Sequence, residues 1–198
     1  VNYRYQPAEN LALEDIDFSA KSGETVAIIG GTGSGKTTLV NLLPRFYDVE
    51  SGKILLNGKN IKDTSQHNLR EMIGLVPQKA VLFTGTIREN MQYGAPNATD
   101  EEIWQALEIA QAKAFVSELA EGLDSHVEQG GGNFSGGQRQ RLAIARALVK
   151  PADVYAFDDS FSALDFKTDA NLRKALKEQM TDAIVAVSYT HLRAHETR

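Results

Sequence analysis

The residues Gly30-Gly31-Thr32-Gly33-Ser34-Gly35-Lys36-Thr37-Thr38 fit the pattern G-x-x-x-x-G-K-[ST], with Gly30, Gly35, Lys36 and Thr37 in the fixed places. Glycines let a backbone curl until successive N–H groups point inward at phosphate oxygens. A helix N-terminus adds partial positive charge at the same point. In that chemistry Lys36 reaches the β- and γ-phosphates of a nucleotide, and the Thr37 hydroxyl ligates Mg²⁺. Asp158 and Asp159 close the apolar run Val154-Tyr155-Ala156-Phe157, where paired carboxylates suit Mg²⁺ and water positioning. Gln78 follows Pro77 at the end of another apolar run, Ile73-Gly74-Leu75-Val76. Taken alone Gln78 is an ordinary loop residue; beside a phosphate loop it can reach the metal or the attacking water. Ser135, Gly136, Gly137 and Gln138 open a helical pattern and offer a second anion site. Tyr5 suits simple packing, and its place ahead of the loop also suits stacking on an adenine ring.

These residues need a scaffold, and the patterning supplies one. Val26-Ala27-Ile28-Ile29 reads as a buried strand before the loop, and Leu39-Val40-Asn41-Leu42-Leu43 as helix after it. Val1, Tyr3 and Tyr5 alternate with Asn2 and Arg4 as in a half-buried strand ended by Pro7; Ile16 and Phe18 predict a second. Asn57-Gly58 predicts a two-residue hairpin turn. A short helix is expected over residues 66–72 and a buried strand over 73–76. Thr99-Asp100-Glu101-Glu102 is a capping box, followed by an apolar face at Ile103, Leu107 and Ala110. Residues 138–149 predict a helix with Leu142, Ala145 and Leu148 on one side, and Arg139 and Arg141 read as its solvated face. Residues 167–180 predict another helix, and Ile184-Val185 begins a last buried strand.

The chain has 198 residues, 42% apolar and 24% charged, which allows one sizeable core with an inserted subdomain. A formal net charge of −5 argues against a nucleic-acid surface. With no cysteine, disulfides and thiolate metal sites are excluded. No apolar run approaches the roughly 18 residues that span a bilayer. No signal peptide is visible, and the missing initiator Met predicts a fragment of a longer chain.

Taken together, these motifs resemble the nucleotide-binding domain of the ATP-binding cassette family, over nearly the whole chain up to about Val185. Residues 30–38 look like its Walker A loop, Gln78 its Q-loop, and residues 154–158 its Walker B strand. Phe134-Ser135-Gly136-Gly137-Gln138 looks like the family signature, with Phe for the usual Leu; Ser162-Ala163-Leu164-Asp165 looks like the D-loop. The segment Leu82-Phe83-Thr84-Gly85-Thr86-Ile87-Arg88-Glu89-Asn90 is similar to exporters of the multidrug and lipid type, in which Tyr5 falls at the adenine-stacking aromatic. The resemblance implies a P-loop NTPase (RecA-like) α/β core with an antiparallel β subdomain and an inserted α-helical subdomain. It places the core at residues 1–77 and 151–185 and the helical subdomain with the signature at 78–150.

It also implies a mechanism. Two cassettes pair head to tail, and each ATP lies between the Walker A loop of one and the signature of the other. Tyr5, the loop 30–38 and Ser135 to Gln138 would bind ATP; Thr37, Gln78 and Asp158 would hold Mg²⁺; Asp159 and Gln78 would act on the water. The expected partners are a transmembrane domain N-terminal to Val1 and a second cassette, at the cytoplasmic face of the cell membrane. Asp159 stands where the family usually has Glu, which implies the degenerate half of a heterodimer. The alternatives are a soluble non-transport cassette ATPase and a regulatory cassette with weak hydrolysis. Exporters usually carry a His at the end of the strand starting near Ile184, and His191 comes too late for it. Residues 189–197 back-translate to a string resembling a transposase-type sequencing adapter, and Val187-Ser188 fits the bases before it. Residues 186–198 are therefore expected to be a non-native tail that packs poorly.

Overall fold

The computed structural model of the chain describes residues 1–79 and 81–190. His191, expected not to serve as the switch histidine, and the rest of the tail beyond Thr190 lie outside them. The site rests on one strand–loop–helix unit, β1 (Thr25–Ile29) and α1 (Lys36–Leu42). A hairpin follows, β2 (Leu55–Leu56) and β3 (Lys59–Asn60), then α2 (Gln66–Glu71) and β4 (Ile73–Val76). The helical part comprises β5 (Gly85–Thr86), α3 (Ile87–Gln92), α4 (Asp100–Ile109), α5 (Lys113–Glu118), β6 (His126–Val127) and α6 (Gly136–Val149). The chain returns to the core through β7 (Val154–Asp158), α7 (Phe166–Gln179) and β8 (Ile184–Tyr189).

Strands β1, β8, β7 and β4 lie side by side in that order, all parallel. Every strand therefore ends at the same edge, where ligands of open α/β sheets gather. The largest buried cluster runs from Val76, Phe157 and Val187 through Leu142 and Ile144 to Ile103 and Leu107. Sheet and helical insert thus share one core, which fixes α6 relative to β4 and β7. At the hairpin, Asn57 and Gly58 both take positive φ, 52° and 76°, as a type I′ turn requires.

Several expectations change. Residues 1–5 and 16–18 do not form strands; Asn2 bridges Ser51 and Tyr3 bridges Leu13, and nothing more regular develops. The left-handed φ of 49° at Asp15 breaks the extended run, and its N–H turns to the Asn2 side chain. The antiparallel β part is thus a hairpin with two bridges. Strand β1 is not buried on both faces. It is outermost in the described sheet, and Ile29 is 56% exposed beside an open groove lined by Ala27, Leu176 and Val187. Packing also does not stop at Val185. Strand β8 continues to Tyr189, with Val187 and Ser188 buried, because β1 and β7 supply ladder partners on both sides.

Candidate functional site

The loop between β1 and α1 closes on itself through Lys36. Its Nζ donates to Gly30 O at 2.7 Å and Gly31 O at 2.8 Å, with Ser34 Oγ at 3.4 Å. Gly35 starts α1 with φ 94°, and a Cβ there would lie 2.8 Å from Ala12 O, so only glycine fits. A Cβ at Gly31 or Gly33 would meet open space, so the outer wall of the loop is a cradle that no side chain fills. Thr32, Gly33 and Ser34 are exposed along it.

The loop and the end of β7 meet directly. Thr37 Oγ1 donates to Asp158 Oδ1 at 3.1 Å, and Asp158 is buried. Ser188 Oγ donates to the same Oδ1 at 2.9 Å and accepts from the Asp159 N–H at 2.9 Å. Asp159 itself has φ 47°. Gln78 Nε2 donates to Asp159 Oδ2 at 3.4 Å, and Thr190 Oγ1 donates to that oxygen at 3.0 Å. Lys36, Thr37, Asp158, Asp159 and Gln78 therefore belong to one constellation at the sheet's carboxyl edge.

Thr37 and Asp158 offer hard oxygen donors side by side, the chemistry a Mg²⁺ ion takes. Among the described residues no cluster of three His, Cys, Asp or Glu exists that would cage a metal alone. The donor set thus fits an ion carried mainly by phosphate oxygens and water, as Mg²⁺ usually is.

Tyr5 reaches the first turn of α1. Its hydroxyl and Thr38 Oγ1 are 2.7 Å apart, and its ring packs edge-on against Tyr3 and Tyr47. At 38% exposure it keeps ring surface open to solvent.

The signature residues form a separate patch on the helical part. Ser135 caps α6, and Gln138 answers it: Ser135 Oγ accepts from Gln138 N, while Gln138 Oε1 accepts from Ser135 N–H. Gly136 lies exposed at the first turn, where N–H groups lack intrahelical partners. Gln138 is thereby engaged inside the cap. Within this chain the structure does not bring Ser135 to Lys36 by any hydrogen bond. Arg139 and Arg141 are not a solvated face. Arg139 donates to Phe134 O; Arg141 donates to Gln111 O and Gly137 O and stacks on Phe115. Carbonyls at loop ends draw them inward, and burial pushes the Arg141 guanidinium below its ordinary pKa.

Ser160, Ser188 and Thr190 were not singled out by sequence reasoning. Small hydroxyl residues carry no spacing signal; Ser188 meets Asp158 because β8 and β7 pair them in register. Asn90 is similar: buried, it bonds the Phe83 N–H and carbonyl and Thr86 O, and so fixes the loop before α3.

The family model for ABC transporters matches residues 13–162. An uncharacterized ABC transporter ATP-binding protein of Mycobacterium tuberculosis is 47% identical over 188 residues, 93% of this chain and 32% of that protein. A Staphylococcus aureus protein provisionally named a multidrug export ATP-binding/permease protein is 44% identical over 189 residues, 94% of this chain and 33% of its own length. The solved structure of a bacterial Atm1-family ABC exporter with ATP bound superposes with a TM-score of 0.88 at 36% identity, covering 95% of this chain and 33% of that one. The chain spans about a third of the length of the curated relatives it matches.

Proposed function

The chain belongs to the ABC transporter family, and on that premise we propose that it is the ATP-binding and ATP-hydrolysing motor domain of a membrane exporter. The observation that carries this reading is the contact of Thr37 with Asp158, which joins the phosphate loop to the strand-end carboxylates. The open cradle at Gly31 and Gly33 suits a polyphosphate, and Lys36 lies at its base to meet the charge. Tyr5 would stack on the adenine ring, with its hydroxyl tied to Thr38.

Mg²⁺, when bound, would neutralise charge on the β- and γ-phosphates. Thr37, Asp158 and Gln78 would hold it, and Asp159 with Gln78 would orient the attacking water at their shared hydrogen bond. Ser135 and Gly136 would face the γ-phosphate of a second cassette, because their N–H-rich helix end points outward from this chain.

No helix among the described residues is long and apolar enough to cross a membrane. The exporter's transmembrane partner would lie N-terminal to Val1, placing this domain at the cytoplasmic face. A second reading, a cassette with weak hydrolysis paired with an active relative, is favoured by Asp159 in place of the family's usual Glu. The deciding experiment is equilibrium titration with ATP, with and without Mg²⁺, of the parent protein and Lys36→Ala. The parent should bind ATP more tightly with Mg²⁺, and Lys36→Ala should lose most affinity while keeping its fold. Equal binding by both would sink the assignment.

A further inference from the structure

Ser160 is a buried hydroxyl in the middle of the site that no motif accounts for. It donates to Val76 O at 2.8 Å, with Asp158 O at 3.3 Å and Pro77 O at 3.5 Å. Val76 is the last residue of β4, and Pro77 and Gln78 follow it. Pro77 has no N–H, so the ladder cannot run further, and the strand end takes a side-chain bond instead.

A second bond spans the same gap. Gln78 Nε2 reaches Asp159 Oδ2 at 3.4 Å, long for a hydrogen bond and exposed to water. Alone it would not hold the two side chains in register. Asp159 also needs support. Its φ of 47° is unfavourable for a residue with a Cβ, and its carbonyl accepts from Ser162 Oγ at 3.1 Å. Serines at both positions flanking Phe161 thus pin the turn that aims the Asp159 carboxylate.

The geometry points to Ser160 as a positioning residue for the hydrolytic step: its hydroxyl fixes the turn after β4 against the turn after β7, and so sets where Gln78 meets Asp159. This rests on the hydrolytic reading above. Ser160 touches neither nucleotide nor water; it acts through the two residues that would.

The test is a double-mutant cycle in the parent protein, with ATPase kinetics for Ser160→Ala, Gln78→Ala and the pair. A shift of about 1 Å in a catalytic group costs up to roughly 100-fold, so partial loosening should lower kcat by about tenfold. KM for ATP should stay within about twofold, since no nucleotide contact is removed. In the Gln78→Ala background the serine substitution should have little further effect, and Ser160→Thr should restore most of kcat. An unchanged kcat in Ser160→Ala, or an equal loss with and without Gln78, would overturn the proposal. A parent protein without any ATPase activity would defeat the hydrolytic reading instead. The tie is then read from the Gln78 side-chain amide resonance of the ¹⁵N-labelled chain, which Ser160→Ala should shift; an unmoved resonance there overturns the proposal.

Discussion

The Thr37 hydroxyl donates to the Asp158 carboxylate across 3.1 Å, joining residues 121 positions apart. Both atoms are hard oxygen donors. Thr37→Val keeps the shape and removes the donor. We expect ATP affinity in Mg²⁺ to fall by roughly tenfold, a loss typical of a hydrogen bond to a charged partner. Affinity in EDTA should not change. Titration with a fluorescent ATP analogue reads both, and a Mg²⁺ effect preserved in the variant would contradict the donor assignment.

The helix end at Ser135 predicts action in trans. Ser135→Arg places bulk and a mobile cation over the exposed Gly136. Each cassette should still bind ATP, while ATP-dependent dimerisation and turnover fail. Light scattering with ATP and a hydrolysis-blocked partner would show this; dimerisation that survives would remove Ser135 from the interface.

Asp159 predicts an unequal pair. Its carboxylate is one methylene shorter than Glu, on the order of 1 Å, and such a misplacement costs roughly 100-fold in rate. A related chain with Glu at the matching position is therefore expected. In the assembled pair, where the partner's site carries most of the flux, Asp159→Asn should reduce total turnover mildly and Glu→Gln in the partner should abolish most of it, while the slower rate of this chain's own site should fall with Asp159→Asn. Full-rate hydrolysis by a homodimer, lost on Asp159→Asn, would show that Asp159 is competent by itself.

Asp165 gives a pH signature. It caps α7, and hydrogen bonds from the Thr168 N–H and then the Thr168 hydroxyl hold its carboxyl below the usual range. A depressed folded pKa means stability that is present above the unfolded value and lost as pH falls through the folded one. Asp165→Ala should therefore lower Tm at neutral pH, and the difference from the parent should shrink in acid. A gap that widens on acidification would contradict the linkage.

The site was legible where chemistry is written in short contiguous motifs. Residues 30–38, Gln78 and Asp158 could be assembled from the sequence because glycine spacing and apolar runs ending in polar residues mark strand ends. The capping box at Thr99 and the hairpin at Asn57-Gly58 formed as their local chemistry dictates. What stayed hidden depends on pairing across the sheet. Ser188 reaches Asp158 only through strand register, and Ser160 reaches Val76 only because β7 lies beside β4. The arginines of α6 misled for the opposite reason: their spacing resembles a solvated stripe, but loop carbonyls bind them. Two further capping boxes, Thr86 with Glu89 and Ser135 with Gln138, follow the same local chemistry as Thr99.

Because α6 is held in the shared core, any turn of the helical part as a body would be carried to the signature along the full length of that helix. Near its far end Arg146 donates to Val81 O, three residues beyond Gln78, and its guanidinium lies over the Phe83 ring. At about 1.5 Å of rise per residue, this anchor lies roughly 16 Å from Ser135. Each degree of tilt about the anchor sweeps the signature through roughly 0.3 Å, so a few degrees span the difference between touching a phosphate and missing it. On the proposed pairing, a force applied to the segment around Val81 would reach the second cassette's nucleotide as torque on a rigid rod, with the gain set by helix length.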